Sequence, residues 1–330
     1  MDYRLLPKIE LHLHLDCSLS YEVVKKIDPA ISWEAYRESF VAPPKCTDLN
    51  DYLTRAVKGF ELMQTPEQLR WVTLDLFDQL KKDQVIYAEI RFAPLLHIAK
   101  GMKPVEVVQT VNDAVTEGIS LTGIEAGLIL CTLRHYSEAQ SMETVRLVEA
   151  FKGTNVLAFD IAGDEAGYPV TAHISAFEYA REKGIPCTAH AGEAAGPGSV
   201  RSTLEHFHPS RIGHGVRSAE DPALLELLKE KDIHLEICPT SNVQTNVVNS
   251  IQDHPLNRIY RQGVSMSLNT DCRTISDVNL SSEYNLVNDT FKWEKEQFLH
   301  CNLEGIRHSF CTEAGKEELK KKILAAWNAA

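Results

Sequence analysis

Eight short apolar runs with helical segments between them set the strongest limit on how this chain can fold. They occupy residues 8–16, 85–94, 126–134, 156–164, 185–193, 211–216, 233–239 and 264–271. Runs of this length and composition read as strands buried on both faces, the habit of parallel sheets, where helical crossovers join successive strands. Eight such units are the sequence form of an α/β fold of the TIM (β/α)8 barrel type, closed around a side-chain-filled interior. An open doubly wound sheet competes with it, but no Gly-x-Gly-x-x-Gly opens a helix after any run.

The first interval is too long for a simple crossover. Residues 19–82 carry helical periodicity broken at Pro29, Pro43-Pro44 and Pro66, with an amphipathic stretch at 49–63. This predicts a helical insertion after strand 1, either a plain outer layer or a cover for the barrel mouth, with Phe60, Leu62 and Met63 as candidates for an apolar wall. Residues 281–330 read as C-terminal amphipathic helices, 316–327 among them. No linker or low-complexity tract interrupts 1–330, so one domain is expected.

A chain of 330 residues with 44% hydrophobic content can build a sizeable core, and its net charge of -12 disfavours nucleic acid or an anionic membrane surface as partner. Lys320, Lys321 and Lys322 form the one basic cluster, read as a solvated helix end. The residues after Met1 hold no long apolar segment, so neither a leader nor a membrane span is expected and a cytoplasmic setting follows. The eight cysteines include no Cys-x-x-Cys and are read as reduced thiols, which removes a zinc ribbon. Oligomeric state stays open.

The unusual polar residues fall at the C-terminal ends of the runs, the face where barrels carry chemistry. In an extended strand His12, His14 and Asp16 share one face, although an isolated His-x-His equally fits a core histidine beside a turn. Gly163, Asp164 and Glu165 end the fourth run, His190 to Glu193 the fifth, His214 the sixth, and Asn269 to Asp271 the eighth. His12, His14, His190 and Asp271 offer three imidazoles and a carboxylate, a donor set for one zinc ion, with iron, cobalt or manganese left open.

A metal-activated water would make the chemistry hydrolytic, as no serine or cysteine nucleophile with a neighbouring base is evident. His214 is then the candidate to hold or deprotonate that water, its alternative being a structural histidine. Glu193 is the candidate general acid, provided a dry pocket raises its pKa. Gly163 is a candidate to present its backbone amide to a ligand, with Asp164 and Glu165 orienting neighbours.

With these residues in view, the chain resembles the adenosine deaminase family of metal-dependent hydrolases. The matching segments are PKIELHLHLD (7–16), AGDE (162–165), HAGE (190–193), RIGHGVR (211–217), CPTSN (238–242) and SLNTD (267–271), in family order across nearly the whole chain. The resemblance implies hydrolysis of adenosine to inosine and ammonia, with 2′-deoxyadenosine a second candidate substrate. It implies one zinc on His12, His14, His190 and Asp271, proton donation from Glu193 to purine N1, and His214 positioning the hydroxide that attacks C6. By the same resemblance His14, Asp16, Gly163 and Cys272 line the purine nucleoside site, Asp16 on the ribose 5′-hydroxyl and Gly163 on N3.

Two positions depart from the family pattern. Asp271-Cys272-Arg273 stands where the family usually has Asp-Asp-Pro, and the second aspartate there contacts purine N7. Cys17 stands where the family usually has Gly. A thiol is a weak hydrogen-bonding partner, which opens the question of a different 6-aminopurine: adenine, a modified adenosine or aminodeoxyfutalosine. A two-metal barrel hydrolase would need a lysine ending the fourth run, which has none. The small zinc deaminase signature stops at His234-Leu235-Glu236, with no Pro-Cys-x-x-Cys after it. A barrel that lost its activity need not keep Glu193 and His214 together.

Overall fold

A computed structural model describes residues 1–330 as eight parallel strands alternating with helices. The strands are β1 (Lys8–His14), β2 (Val85–Phe92), β3 (Glu125–Leu133), β4 (Val156–Ala162), β5 (Thr188–Ala191), β6 (Arg211–His214), β7 (His234–Ile237) and β8 (Met266–Leu268). They pair in sequence order as two four-stranded sheets. Single parallel bridges, Leu13 to Asp271 and Phe159 to Cys187, close the two seams and complete the barrel.

The β1–β8 seam shows why so short a last strand suffices. Past the end of β8, His14 N donates to Asp271 O at 2.8 Å and Asp271 N donates to His12 O at 3.0 Å. The Asn269 side-chain oxygen accepts the amides of Leu11 (2.8 Å) and His12 (3.2 Å), standing in for missing rungs of the ladder. Site residues are thereby fixed by the closure itself.

Most strands end earlier than the apolar runs, because each polar tail leaves the ladder to form a turn. β1 stops at His14, and Asp16 belongs to a 3-10 turn, Leu15–Cys17. The expectation that Asp16 shares a strand face with both histidines is therefore corrected: it reaches the barrel mouth from the turn.

Between β1 and β2 lie α1 (Tyr21–Ile27), α2 (Trp33–Phe40), α3 (Leu49–Glu61) and α4 (Pro66–Lys82). Ser20, Ser32, Asp48 and Thr65 cap them, each side chain accepting the backbone amide three residues on. α3 crosses the barrel mouth, seated by a close approach: a Cβ on Gly59 would meet Asp16 O at 2.2 Å. Phe60 lines the cavity below α3, but Leu62 and Met63 do not. Met63 is fully buried in the main core and Leu62 packs against that core, because the helix has already ended.

The helices Leu280–Phe291, Lys295–His308 and Glu313–Ala329 complete the chain. Trp327 is fully buried and donates from Nε1 to Pro7 O at 2.8 Å, tying the last helix to the start of β1. Lys320, Lys321 and Lys322 are exposed. All eight cysteines are free, and no helix is long and apolar enough to cross a membrane.

Candidate active site

The C-terminal ends of β1, β5 and β6 and the turn after β8 bring four imidazoles and a carboxylate together. The donor atoms of His12, His190, His214 and Asp271 lie within 4.8 Å of one another. His14 joins them pairwise, its Nε2 at 3.2 Å from His190 Nε2 and 3.3 Å from Asp271 Oδ1. Glycine at 213 makes room: a Cβ there would meet the His12 ring at 2.9 Å. His214 (φ 61°) and Asp271 (φ 64°) both adopt left-handed backbone, which costs about 1–3 kcal/mol each and is tolerated at sites where side-chain aim matters.

Hydrogen bonds on the far sides of the rings decide which nitrogens face inward with lone pairs. His12 Nδ1 meets Glu236 Oε2 at 2.8 Å, so in the neutral ring Nδ1 carries the proton and Nε2 keeps its lone pair. That Nε2 is buried without a hydrogen-bond partner and faces Asp271 Oδ1 at 3.4 Å. His190 Nδ1 lies 3.1 Å from Asp160 Oδ2, which likewise directs a bare Nε2 inward. Acceptors this close repel one another unless a cation lies among them.

The spacing fits a metal. Tetrahedral bonds of ~2.0–2.1 Å would separate neighbouring donor atoms by about 3.3 Å, and three contacts among these donors match it: His14–His190 at 3.2 Å, His14–Asp271 at 3.3 Å and His12–Asp271 at 3.4 Å. His214 differs: its Nδ1 lies 3.1 Å from the Asn242 amide nitrogen, and its Nε2 is 3.6 Å from Glu193 Oε2. Burial, and then the neighbouring His12, holds its pKa well below the ordinary range.

Glu193 is pinned through its backbone. The Glu165 carboxylate accepts the amides of Gly192 (2.7 Å), Glu193 (2.9 Å) and Ala195 (2.9 Å), and the Ser199 hydroxyl at 2.5 Å. Burial, followed by the charges of Asp271 and Glu165, pushes the Glu193 carboxyl well above the usual carboxylate range, the direction a proton donor requires. Asp164 takes no part in this anchoring. It is half-buried, and meets Asn50 Nδ2 at 3.2 Å and Gly167 N at 3.0 Å.

These groups open into a cavity of about 500 Å³, within the range of small-molecule sites. Its floor includes His14, His190, Glu193, His214 and Asp271; Asp16 and Gly163 lie along the sides, and Leu53, Ala56 and Phe60 of α3 form the roof. Neither lysine nor arginine lines it. Asp16 accepts Ala93 N at 3.4 Å, and burial pushes its carboxyl up to about 6. Cys272 lines the cavity beside Cys17 and Tyr52, its thiol 3.6 Å from Asp271 Oδ1.

Sequence reading passes over the residues that hold the site from behind. Arg91 donates to Asp160 Oδ2 (2.8 Å), Glu236 Oε2 (2.7 Å) and Leu11 O (2.8 Å), so one guanidinium joins the carboxylates behind His12 and His190. Ser241 Oγ donates to Asp271 Oδ2 at 2.7 Å. The available signal is a charged residue inside an apolar run, as in VIYAEIRF, VLAFDIA and HLEI.

The adenosine deaminase family model matches residues 7–326. An adenosine deaminase of Clostridium perfringens is 38% identical over 327 residues, covering 97% of this chain and 98% of its own. An adenine deaminase from Arthrobacter aurescens superposes with a TM-score of 0.90 at 25% identity, covering 98% of this chain and 100% of its own. A zinc-bound amidohydrolase from Burkholderia ambifaria shares the fold, with a TM-score of 0.89 at 21% identity over 99% and 91% of the two chains. A match running from the strand that bears His12 and His14 through the last helix takes in every element that builds the site, and the chain belongs to the adenosine deaminase family.

Proposed function

We propose that the chain is a deaminase that converts adenosine and water to inosine and ammonia with one zinc ion held by His12, His14, His190 and Asp271. The observation that carries this reading is the placing of that acceptor cluster and the Glu193 carboxyl on the floor of one cavity, where burial favours the protonated acid. When bound, zinc supplies a water acidified enough to attack as hydroxide near neutral pH.

The chain's own residues supply the rest. Glu193 donates its proton to the purine ring nitrogen next to C6, which draws electron density from that carbon. His214 fixes the attacking oxygen by hydrogen bonding from Nε2. Asp16 accepts a ribose hydroxyl, the Gly163 amide meets the ring, and the roof formed by α3 excludes water from the reaction.

The lining favours a nucleoside over its relatives. A nucleotide would bring a phosphate into a cavity that holds no lysine or arginine and has carboxylates at Asp16 and Asp164. Free adenine would leave Asp16 without a hydroxyl partner. The related Arthrobacter aurescens protein is an adenine deaminase, so adenine is the second substrate to assay. Eight unpaired thiols fit a reducing, cytoplasmic setting.

Ammonia release and the ultraviolet change from adenosine to inosine, measured on metal-loaded protein with and without chelator, test the reading. Chelator-sensitive turnover of adenosine exceeding that of adenine and N6-methyladenosine supports it. Preference for adenine, or turnover indifferent to chelator, refutes it.

A further inference from the structure

His214 carries the proton placement opposite to that of His12 and His190, and the hydrogen bonds that set it run away from the cavity through two buried residues. Leu256 N donates to His254 Nδ1 at 3.1 Å. That nitrogen is therefore an acceptor, and the single proton of the neutral ring sits on Nε2. His254 Nε2 lies 3.2 Å from Asn242 Oδ1, so the ring donates to the amide oxygen. This orients the Asn242 amide, whose Nδ2 faces His214 Nδ1 at 3.1 Å and donates to it. With Nδ1 accepting, the one proton of neutral His214 is on Nε2, the atom that faces Glu193 and the acceptor cluster.

Each link is forced by the one before it, starting from a backbone amide that can only donate. All three side chains are buried: Asn242 is fully enclosed and His254 is 3% exposed, so water does not compete for the hydrogen bonds. Burial holds the His254 pKa down near 3, which keeps its ring neutral throughout the working range. Asn242 lies in the short helix Pro239–Gln244 that follows β7, next to Ser241, whose hydroxyl holds Asp271. Adjacent residues of one turn thus aim the two non-glycine site residues that have left-handed backbone.

We infer that His254 and Asn242 are positioning residues that fix the Nε2–H tautomer of His214, so that this imidazole donates a hydrogen bond into the site and does not offer a lone pair as a fifth metal ligand. The inference rests on the proposed role of His214 in the deaminase, but the tautomer itself does not. It also separates His214 from two of the other imidazoles: carboxylates behind His12 and His190 take their Nδ1 protons, whereas an amide behind His214 gives one.

The test is the proton position. Imidazole nitrogen resonances of the metal-loaded, ¹⁵N-histidine-labelled protein, with His214 assigned by its loss in His214→Gln, distinguish Nε2–H from Nδ1–H directly. Wild type is expected to show Nε2–H. Asn242→Asp places a carboxylate behind Nδ1 and is expected to move the proton to Nδ1, lowering kcat by ~10²-fold or more with KM and metal content nearly unchanged. His254→Gln keeps a donor toward Asn242 and retains the wild-type signature, while His254→Ala loses it; this pair serves if Asn242→Asp does not fold. Nδ1–H in wild type, or Nε2–H persisting in both Asn242→Asp and His254→Ala, overturns the inference. A wild-type protein with the expected tautomer and no deaminase turnover refutes the proposed function alone.

Discussion

The carboxylate of Glu165 accepts the backbone amide of Glu193 at 2.9 Å, so a residue at the end of one strand sets the position of the proposed proton donor at the end of the next. Both its oxygens are committed, to three amides and a hydroxyl, and its charge also helps Glu193 keep its proton. Glu165→Gln leaves at least one buried donor unpaired, a loss of about 1–3 kcal/mol in stability. Removing the charge also lowers the Glu193 pKa. If Glu193 acts while protonated, as proposed, the alkaline limb of the pH–rate profile moves to lower pH; an unmoved limb would separate the two residues electrically.

Glu193→Gln keeps the shape and the neutral charge of the protonated acid but has no proton to transfer. Turnover should fall ~10²–10⁴-fold while metal content stays that of wild type. Metal lost together with activity would instead make Glu193 part of the binding set. His12→Ala gives the converse pattern, a protein that loses metal on dialysis.

Glu236 supports both the metal cluster and the barrel interior. It accepts from His12 and Arg91 at one oxygen, and its other oxygen lies 2.7 Å from Arg211 Nε, all fully buried. Glu236→Gln should weaken metal affinity about 10–100-fold through loss of the His12 partner. It should also cost ~3–5 kcal/mol, since Arg91 and Arg211 lose a buried counter-charge. Metal competition and urea unfolding read the two effects separately.

The barrel and its reactive mouth are legible in the sequence because both follow from local pattern. Parallel strands buried on both faces read as continuous apolar runs, and polar residues at their ends stand out. The support beneath is not legible. Asp160 and Glu236 look like isolated exceptions within strands, and only the closure of the barrel brings them to Arg91. Parity extends the first strand to Asp16 because it says nothing about where a ladder ends. Periodicity likewise carries the wall on to Leu62 and Met63, past Glu61, where α3 stops. The Leu256–His254–Asn242 relay depends on hydrogen-bond direction between loops and a short helix, which no spacing encodes.

Cys272 lines the cavity with an apolar thiol at the position where the family usually presents a carboxyl to purine N7. In Cys272→Asp a protonated carboxyl would restore a donor, and a hydrogen bond of ~1 kcal/mol corresponds to about fivefold in kcat/KM for adenosine. Because the new carboxyl would sit beside Asp271, ionisation would be repulsive and the gain should fade as pH rises. An unchanged kcat/KM at low pH would show that the ring does not place N7 against residue 272.

Glu283 offers a stability measurement independent of turnover. It is fully buried, accepts Thr240 N at 3.3 Å through Oε2, and has no partner for Oε1. Burial pushes its carboxyl up to about 8 from an ordinary 4.5. Between those values the unfolded chain releases a proton that the folded chain retains, so the unfolded state binds fewer protons and stability falls as pH rises through the window. Glutamine has no proton to release and keeps an acceptor for Thr240. Glu283→Gln should therefore gain on wild type as pH rises, the difference growing by about 4 kcal/mol between pH 4.5 and pH 8. Urea unfolding of both proteins at pH 5, 6.5 and 8 reads the divergence, and a difference that stays constant with pH would place the Glu283 pKa outside that window.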